Sequence, residues 1–375
     1  MSAIKIETIP ASELSPTDKS AWLAMRSDNP ALYSPYFHAD YAEILGQLRE
    51  DAFILIARDN SGPRAFLPYQ GGASFTVPLG APMTDYQGFI AAQDSALDFH
   101  DVLKQAGLGA LHFSAMVDSP LSQSHGQDKQ QAAMIALPEG GEAWRVKQDS
   151  SYRRSLKSLR RRIRNAETEF GERRFVYHSQ SKEVFETLIQ WKRQKFEQTG
   201  KYDVLSADWT LPLLEALWDR GKEADLRCDM HVLYFGDKIA AIDLGLSDGI
   251  TFHSWMVAYD SEMASYAPGI QLLEGLISKS QSLGYKRIDL GAGIDGYKRY
   301  YATENVYVSS GFVAVNGPAA TLSRLYGAAE KFGEKKLADI PGKLRRRYSQ
   351  IAACEESFSG RAKAMMHAVK TANKA

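Results

Sequence analysis

Between Leu226 and Leu290 the order of short apolar runs, turn residues and one amphipathic segment leaves few folds open. Leu226 to Phe235 and Lys238 to Leu246 are β-rich runs joined by Gly236-Asp237, a two-residue hairpin signal. Ser247-Asp248-Gly249 turns the chain into a third run, Ile250 to Ala258. After a loop around Asp260 comes Tyr266-Ala267-Pro268-Gly269, then Ile270, Leu272, Leu273, Leu276, Ile277 and Leu283 at helical spacing, closed by Gly284. Tyr285 to Leu290 reads as a buried strand. Hairpin, strand, glycine turn, helix and strand therefore follow one another within 65 residues.

Particular residues sharpen this order. Ala240-Ala241, Asp260, Tyr266-Ala267-Pro268-Gly269, Asp289-Leu290-Gly291-Ala292-Gly293 and Tyr297-Lys298 together resemble the signature of the CelD-like GNAT acyltransferases of bacterial exopolysaccharide biosynthesis. Those enzymes are relatives of the FemAB-type aminoacyl transferases. The resemblance implies an α/β (α+β) chain of two tandem GNAT-like domains, each a mixed, mainly antiparallel sheet flanked by helices. The first domain would be a degenerate copy over residues 1–145 and the second an acyltransferase over 146–320. A helical basic tail, 321–375, would follow.

The length fits that plan, since 375 residues exceed one ordinary domain. Lys plus Arg equals Asp plus Glu at 45 each, so net charge gives no reason to expect DNA binding. Cys228 and Cys354 stand far apart, which argues against a disulfide framework or a structural zinc and fits a reducing compartment. No run is long and apolar enough for a membrane span, and Met1 to Pro10 lacks the apolar core of a secretory signal. A cytoplasmic location is expected, with the inner membrane surface within reach.

Upstream, Ala11 to Met25 and Tyr36 to Leu48 are predicted helices, the first capped by Ser12 or Ser15. Ala52 to Ala57 and Arg64 to Tyr69 flank the turn cluster Asp59 to Pro63 as a hairpin. Ser95 to Gly107 reads as a helix, Ala110 to Ala115 as a strand and Ser119 to Lys129 as a polar surface loop. From Ser151 to Phe170, apolar residues spaced alternately by four and three define one helical stripe. The rest of that helix carries Arg153, Arg154, Lys157, Arg160, Arg161, Arg162 and Arg164, either a solvated face or a dock for a polyanion, a phosphate-bearing substrate or a membrane. Val184 to Phe196 and Leu211 to Trp218 are further helices, and Val306 to Val315 a last hairpin. Leu322, Leu325, Tyr326, Ala329 and Phe332 continue a helical face until Pro341-Gly342, ahead of Arg345-Arg346-Arg347.

An enzyme that takes an acyl group from a CoA thioester has to hold a pyrophosphate and a pantetheine arm. Backbone N–H groups at a helix start meet the first need, and Pro268, Gly269 and Ile270 open the predicted helix. Ile270 and Gln271 stand where ordinary GNAT loops place a later glycine. The strand Ile250 to Ala258 would bind the arm, with Phe252, Ser254 and Met256 on one face and Thr251, His253, Trp255 and Val257 on the other; Trp255 is a donor-contact candidate. His253 and Asp243 are both candidates for the general base, His253 by its near-neutral pKa and Asp243 as an acid in an apolar run. Each has a structural alternative as a hydrogen-bonded core residue.

Tyr297 offers a hydroxyl to the leaving thiolate and Lys298 a fixed cation. Arg153, Lys157 and Asp289 are acceptor-side candidates, and the resemblance adds Asp85 and Tyr86 at a cleft between the halves. The expected activity is N-acyl transfer, with acetyl-CoA as donor and an amino sugar of an exopolysaccharide or its lipid-linked precursor as acceptor. No metal is expected. A FemAB-type transfer from aminoacyl-tRNA to a peptidoglycan precursor is the second reading. A third is a regulatory protein that binds cyclic di-GMP, or the inner-membrane surface, at Arg345 to Arg347.

Overall fold

The computed structural model describes residues 4–72, 75–91, 97–315, 321 and 350–355. The described residues group into two compact units. The first comprises those of Met1–Lys129, Glu197–Leu213 and Val308–Ala375, the second Gln130–Phe196 and Leu214–Tyr307. The units are thus discontinuous in sequence, where the sequence reading drew boundaries at 145 and 320. The tail residues Leu322 to Phe332, Pro341-Gly342 and Arg345 to Arg347 lie outside the described residues.

The first unit opens with β1 (Lys5–Pro10), α1 (Pro16–Asp28) and α2 (Ala39–Leu48). Ser15 caps α1 by accepting from Asp18 N–H at 3.1 Å. The strands β2 (Ala52–Asp59), β3 (Gly62–Gly72), β4 (Phe75–Pro78) and β5 (Ile90–Ala91) follow, then α3 (Phe99–Gln105), β6 (Ala110–Val117) and α4 (Pro120–His125). Here the expected polar loop at Ser119 to Lys129 is corrected. Ser119 and Ser122 form a reciprocal capping box that starts α4, and Gly126 already begins the next strand. The strand β1 was not foreseen, because its Lys, Glu and Thr residues dilute the apolar pattern of an edge.

In the second unit, β7 (Gly126–Ala136) leads to α5 (Gly141–Lys147), α6 (Ser150–Phe170), β8 (Arg173–Val176), α7 (Lys182–Gln198) and α8 (Thr210–Asp219). Then come β9 (Arg227–Phe235), β10 (Lys238–Ser247), β11 (Thr251–Tyr259), α9 (Pro268–Leu283) and β12 (Arg287–Ala292), before β13 (Glu304–Ala314), whose residues from Val308 on belong to the first unit. The sheet order is β7-β12-β11-β10-β9-β8, antiparallel except for β11 with β12. The first unit orders β1-β2-β3-β4-β6-β13, with β4 and β6 parallel and β5 added to β3. Both sheets are therefore mixed and mainly antiparallel, as expected. The expected hairpin at Val306 to Val315 is instead the single strand β13: Gly311 has no room for a Cβ beside His125 O and the Phe113 ring, and it sits at a register shift rather than a turn.

The core of the second unit lies between α9 and its sheet. Leu273, Leu276 and Ile277 pack with Phe252, Ile288, Leu290, Trp144 and Tyr152. The α6 stripe reaches the same helix, with Ala166 beside Leu272 and Met263.

Candidate functional site

Two local distortions open the second sheet. β11 pairs with β12 only through Thr251↔Arg287, Phe252↔Ile288 and His253↔Asp289, although β11 continues to Tyr259. At that point Leu246 lies opposite His253 but Leu244 opposite Met256, so Ser254 and Trp255 together face Gly245. This is a β-bulge, and it corrects the strict face alternation expected along Thr251 to Val257. A Cβ on Gly245 would lie 2.2 Å from the Phe252 ring, so only glycine fits beneath it. On the other side of the gap, the β12 register with β7 shifts between Asp289 and Ala292, around Gly291 at φ 75°. Asp289 fixes that turn by accepting from Gly291 N–H at 2.8 Å.

His253 belongs to the last rung before the gap. It is fully buried, with Nδ1 3.5 Å from Asp289 Oδ2. Lys298 Nζ donates to Leu290 O at 2.6 Å and Ala292 O at 3.2 Å, holding the bent end of β12.

Asp243 stands next to the gap and has different surroundings. It is 4% exposed; Oδ2 accepts from Ser254 Oγ at 2.7 Å, while Oδ1 has no hydrogen-bond partner among the described residues. Burial pushes its pKa up to about 6, against the Ser254 hydrogen bond and positive charge at His253 and Lys192, which pull it down. The Tyr297 phenol is raised by burial and by the negative charge of Asp243, although the residue remains 39% exposed. A carboxyl that titrates near neutrality and a phenol that keeps its proton thus share one electrostatic environment, with opposite proton-transfer capacities.

At the far end of the gap lies the start of α9. Ala267 adopts a left-handed conformation (φ 55°, ψ 52°), Pro268 occupies the first turn and no side chain caps the helix. A Cβ on Gly269 would meet only Tyr259 and Val257, at 3.9 and 4.0 Å. Ile270 and Gln271 N–H both donate to Ala267 O at 3.1 Å and Pro268 has no N–H, so this helix start offers an anion the Gly269 N–H and the positive end of its dipole, beside the separated end of β11. Gln271, in the same turn, is fully buried and donates from Nε2 to Tyr266 O at 2.9 Å.

Behind α9, Glu274 is buried and accepts from Tyr301 Oη at 2.8 Å, Tyr152 Oη at 3.0 Å and Arg145 Nη2 at 2.7 Å. This ties α5, α6 and α9 to the segment that carries Tyr297 and Lys298. Glu274 and Ser254 escaped sequence reasoning. An acid within the apolar face of α9 was the available signal for Glu274; nothing local marks Ser254, whose role comes from the bulge.

The structure thus gathers Asp243, His253, Asp289, Tyr297, Lys298, Trp255, Pro268, Gly269 and Ile270 within the second unit. Arg153 and Lys157 lie exposed on α6. Tyr86 lies in the first unit, 1% exposed, with its ring 6.0 Å from Tyr33 and 6.5 Å from Tyr36; Asp85 precedes it, half-buried. Neither cysteine is reactive in kind: burial raises the Cys228 thiol well above its ordinary value and pushes Cys354 up to about 12. No helix among the described residues is long and apolar enough to cross a membrane.

Residues 152–299, which contain this site, match the family described as an acetyltransferase (GNAT) domain. Among solved structures, FemX is similar over 84% of this chain and 99% of its own, at 10% identity and a TM-score of 0.50. A tandem GNAT protein from the clavulanic acid biosynthesis pathway aligns over 84% of this chain and 99% of its own, with 8% identity and a TM-score of 0.49. A GCN5-related N-acetyltransferase from Sphaerobacter thermophilus covers 84% and 96%, with 10% identity and a TM-score of 0.42. No curated protein matches the sequence. The fold is that of the GNAT acyltransferases, and the chain is an enzyme of acyl transfer.

Proposed function

We propose that the protein transfers an acetyl group from acetyl-CoA to the amine of an amino sugar in an exopolysaccharide or its lipid-linked precursor. The observation that carries the reading is the buried Asp243 carboxylate with one oxygen unpartnered, placed where β11 leaves β12. The acceptor class is supported by the resemblance of the Tyr266-to-Gly269 and Asp289-to-Lys298 segments to CelD-like enzymes.

Bound acetyl-CoA would supply the acyl group as a thioester, the amide forming as the thiolate leaves. The first turn of α9 would hold its pyrophosphate, and the part of β11 beyond its last rung with β12 its amide-bearing arm. Oδ1 of Asp243 takes the proton from the attacking amine, and Ser254 keeps that carboxylate oriented. Tyr297 carries a proton for the departing sulfur. His253 and Asp289 fasten the strands at the gap, and Lys298 keeps β12 bent; these three position rather than react. The two high-pKa cysteines leave direct attack as the route, without an acyl-enzyme.

The test is thiol release by the purified protein from acetyl-CoA with amino-sugar acceptors, beside parallel aminoacyl-tRNA reactions. Acetyl transfer that disappears in Asp243→Asn is the expected result. Transfer from aminoacyl-tRNA alone would replace this reading with the FemAB-type one.

Two substitutions probe the parts separately. Gly269→Asp fits sterically and suits a helix start, so stability should hold, while its charge competes with the pyrophosphate. KM for acetyl-CoA should rise about tenfold or more, with kcat changed less. Ser254→Ala removes the donor to Asp243, so the acid limb of the kcat/KM profile should move from near 6 upward by about one pH unit. An unmoved limb would show that another group sets it.

A further inference from the structure

The seven cations of α6 form no ion pair among the described residues, whereas several cations elsewhere are matched on more than one side. Lys19 meets Asp40 and Glu43, Arg58 meets Asp18 and Glu7, and Lys238 meets Asp260 and Glu262. On α6, acids occur only at the ends: Asp149 caps the helix, and Glu167 and Glu169 fall in its last turn. All seven cations are exposed. At 100° per residue, Arg154, Lys157, Arg161 and Arg164 lie opposite the buried stripe of Tyr152, Leu159 and Ala166, in a line roughly 15 Å long. Arg153 and Arg160 flank one side and Arg162 the other.

Like charges three and four residues apart repel, so this row is at a cost in the free protein and gains most from an anionic partner. The seven include six arginines, whose forked donors suit phosphate groups. Beside the row, Val146 is 76% exposed, and its carbonyl accepts from Arg153 Nη2 at 3.3 Å.

We propose that α6 docks the protein on the surface of a bilayer containing anionic phospholipid, its outer row against the headgroups and Val146 against the interface. Since the apolar stripe is already engaged with α9, the helix adsorbs and does not insert. Single-stranded nucleic acid fits less well: the outward face offers no aromatic ring for base stacking, and a phosphodiester backbone has no use for Val146.

The test is co-sedimentation of the full chain with phosphatidylcholine vesicles, with and without phosphatidylglycerol. The wild type should bind only the anionic vesicles, and added salt should release it. A triple variant, Arg154→Glu, Arg161→Glu and Arg164→Glu, should lose binding by more than about tenfold, since each cation contributes roughly fivefold. The triple glutamine variant avoids new charges and should show a smaller loss in the same direction; circular dichroism checks that both fold. Val146→Ser, which removes the apolar contact without adding charge, should weaken binding without affecting release by salt. Wild type that stays in solution with anionic vesicles, variants that sediment like wild type, or RNA that displaces the protein from vesicles would each overturn the proposal.

Discussion

Asp243→Asn is expected to lower kcat/KM by roughly 10²–10⁴-fold and, at neutral pH, to make the protein more stable. The loss follows from the base role: an amide of the same shape can still meet Ser254 but cannot take a proton. The gain follows from linkage. Burial moves the carboxyl from an ordinary 3.8 to about 6, so between those values the folded chain binds this proton and the unfolded chain does not. Stability therefore falls as pH rises through that window and stays lowered above it. At 1.36 kcal/mol per pH unit the displacement amounts to roughly 3 kcal/mol. The neutral amide escapes this cost, and a rise of roughly 2–4 °C in thermal midpoint per kcal/mol recovered is expected. Thermal melts of both proteins at pH 4 and at neutral pH, pH values set by about the two ends of the window, would measure it. The difference should shrink at the acid end. A destabilised variant at neutral pH would mean that Asp243 has a structural partner and is not held ready for a substrate.

Glu274→Ala is expected to destabilise the second unit by about 3–5 kcal/mol. The buried carboxylate accepts from Tyr152, Tyr301 and Arg145, so its removal leaves two hydroxyls unmatched in a largely apolar layer and takes from Arg145 its buried counter-charge, leaving it Glu142, Ser278 and the Glu274 carbonyl. Glu274→Gln keeps the shape and part of the hydrogen bonding and should lose less. Urea unfolding followed by the fluorescence of Trp144, whose ring contacts Tyr152 and Tyr301, reports on that layer. Equal midpoints for Glu274→Ala and wild type would remove Glu274 as the tie between α9 and the Tyr297 segment. Because this effect falls on stability and that of Asp243→Asn on turnover, the two substitutions separate scaffold from chemistry.

The course of the chain through the site was legible because the relevant signals are local. Gly236-Asp237 marked the hairpin, Pro268-Gly269 the start of α9 and Gly284 its end, and each depends on backbone chemistry within a few residues. The separation of β11 from β12 was not legible. It arises from Ser254 and Trp255 sharing one partner and from a turn at Gly291, and pairing across strands leaves no mark within either strand alone. For the same reason His253 and Asp243 looked equally suited to base work in sequence, since only the fold gives one a buried carboxylate partner and leaves the other an open oxygen. Lys298 offered a cation, but its partners are carbonyl oxygens of β12 that no motif names.

The bulge at Ser254 and Trp255 also protects the protein from itself. A strand that runs on past its neighbour would normally invite another polypeptide to extend the sheet, and so seed clumping between molecules. Here the irregular spacing on β11 and the turned-away course of β12 give an incoming strand no regular ladder to extend. A small, flexible chain with a few amide groups does not need one. The same irregularity thus admits a ligand's arm while discouraging association between neighbouring copies.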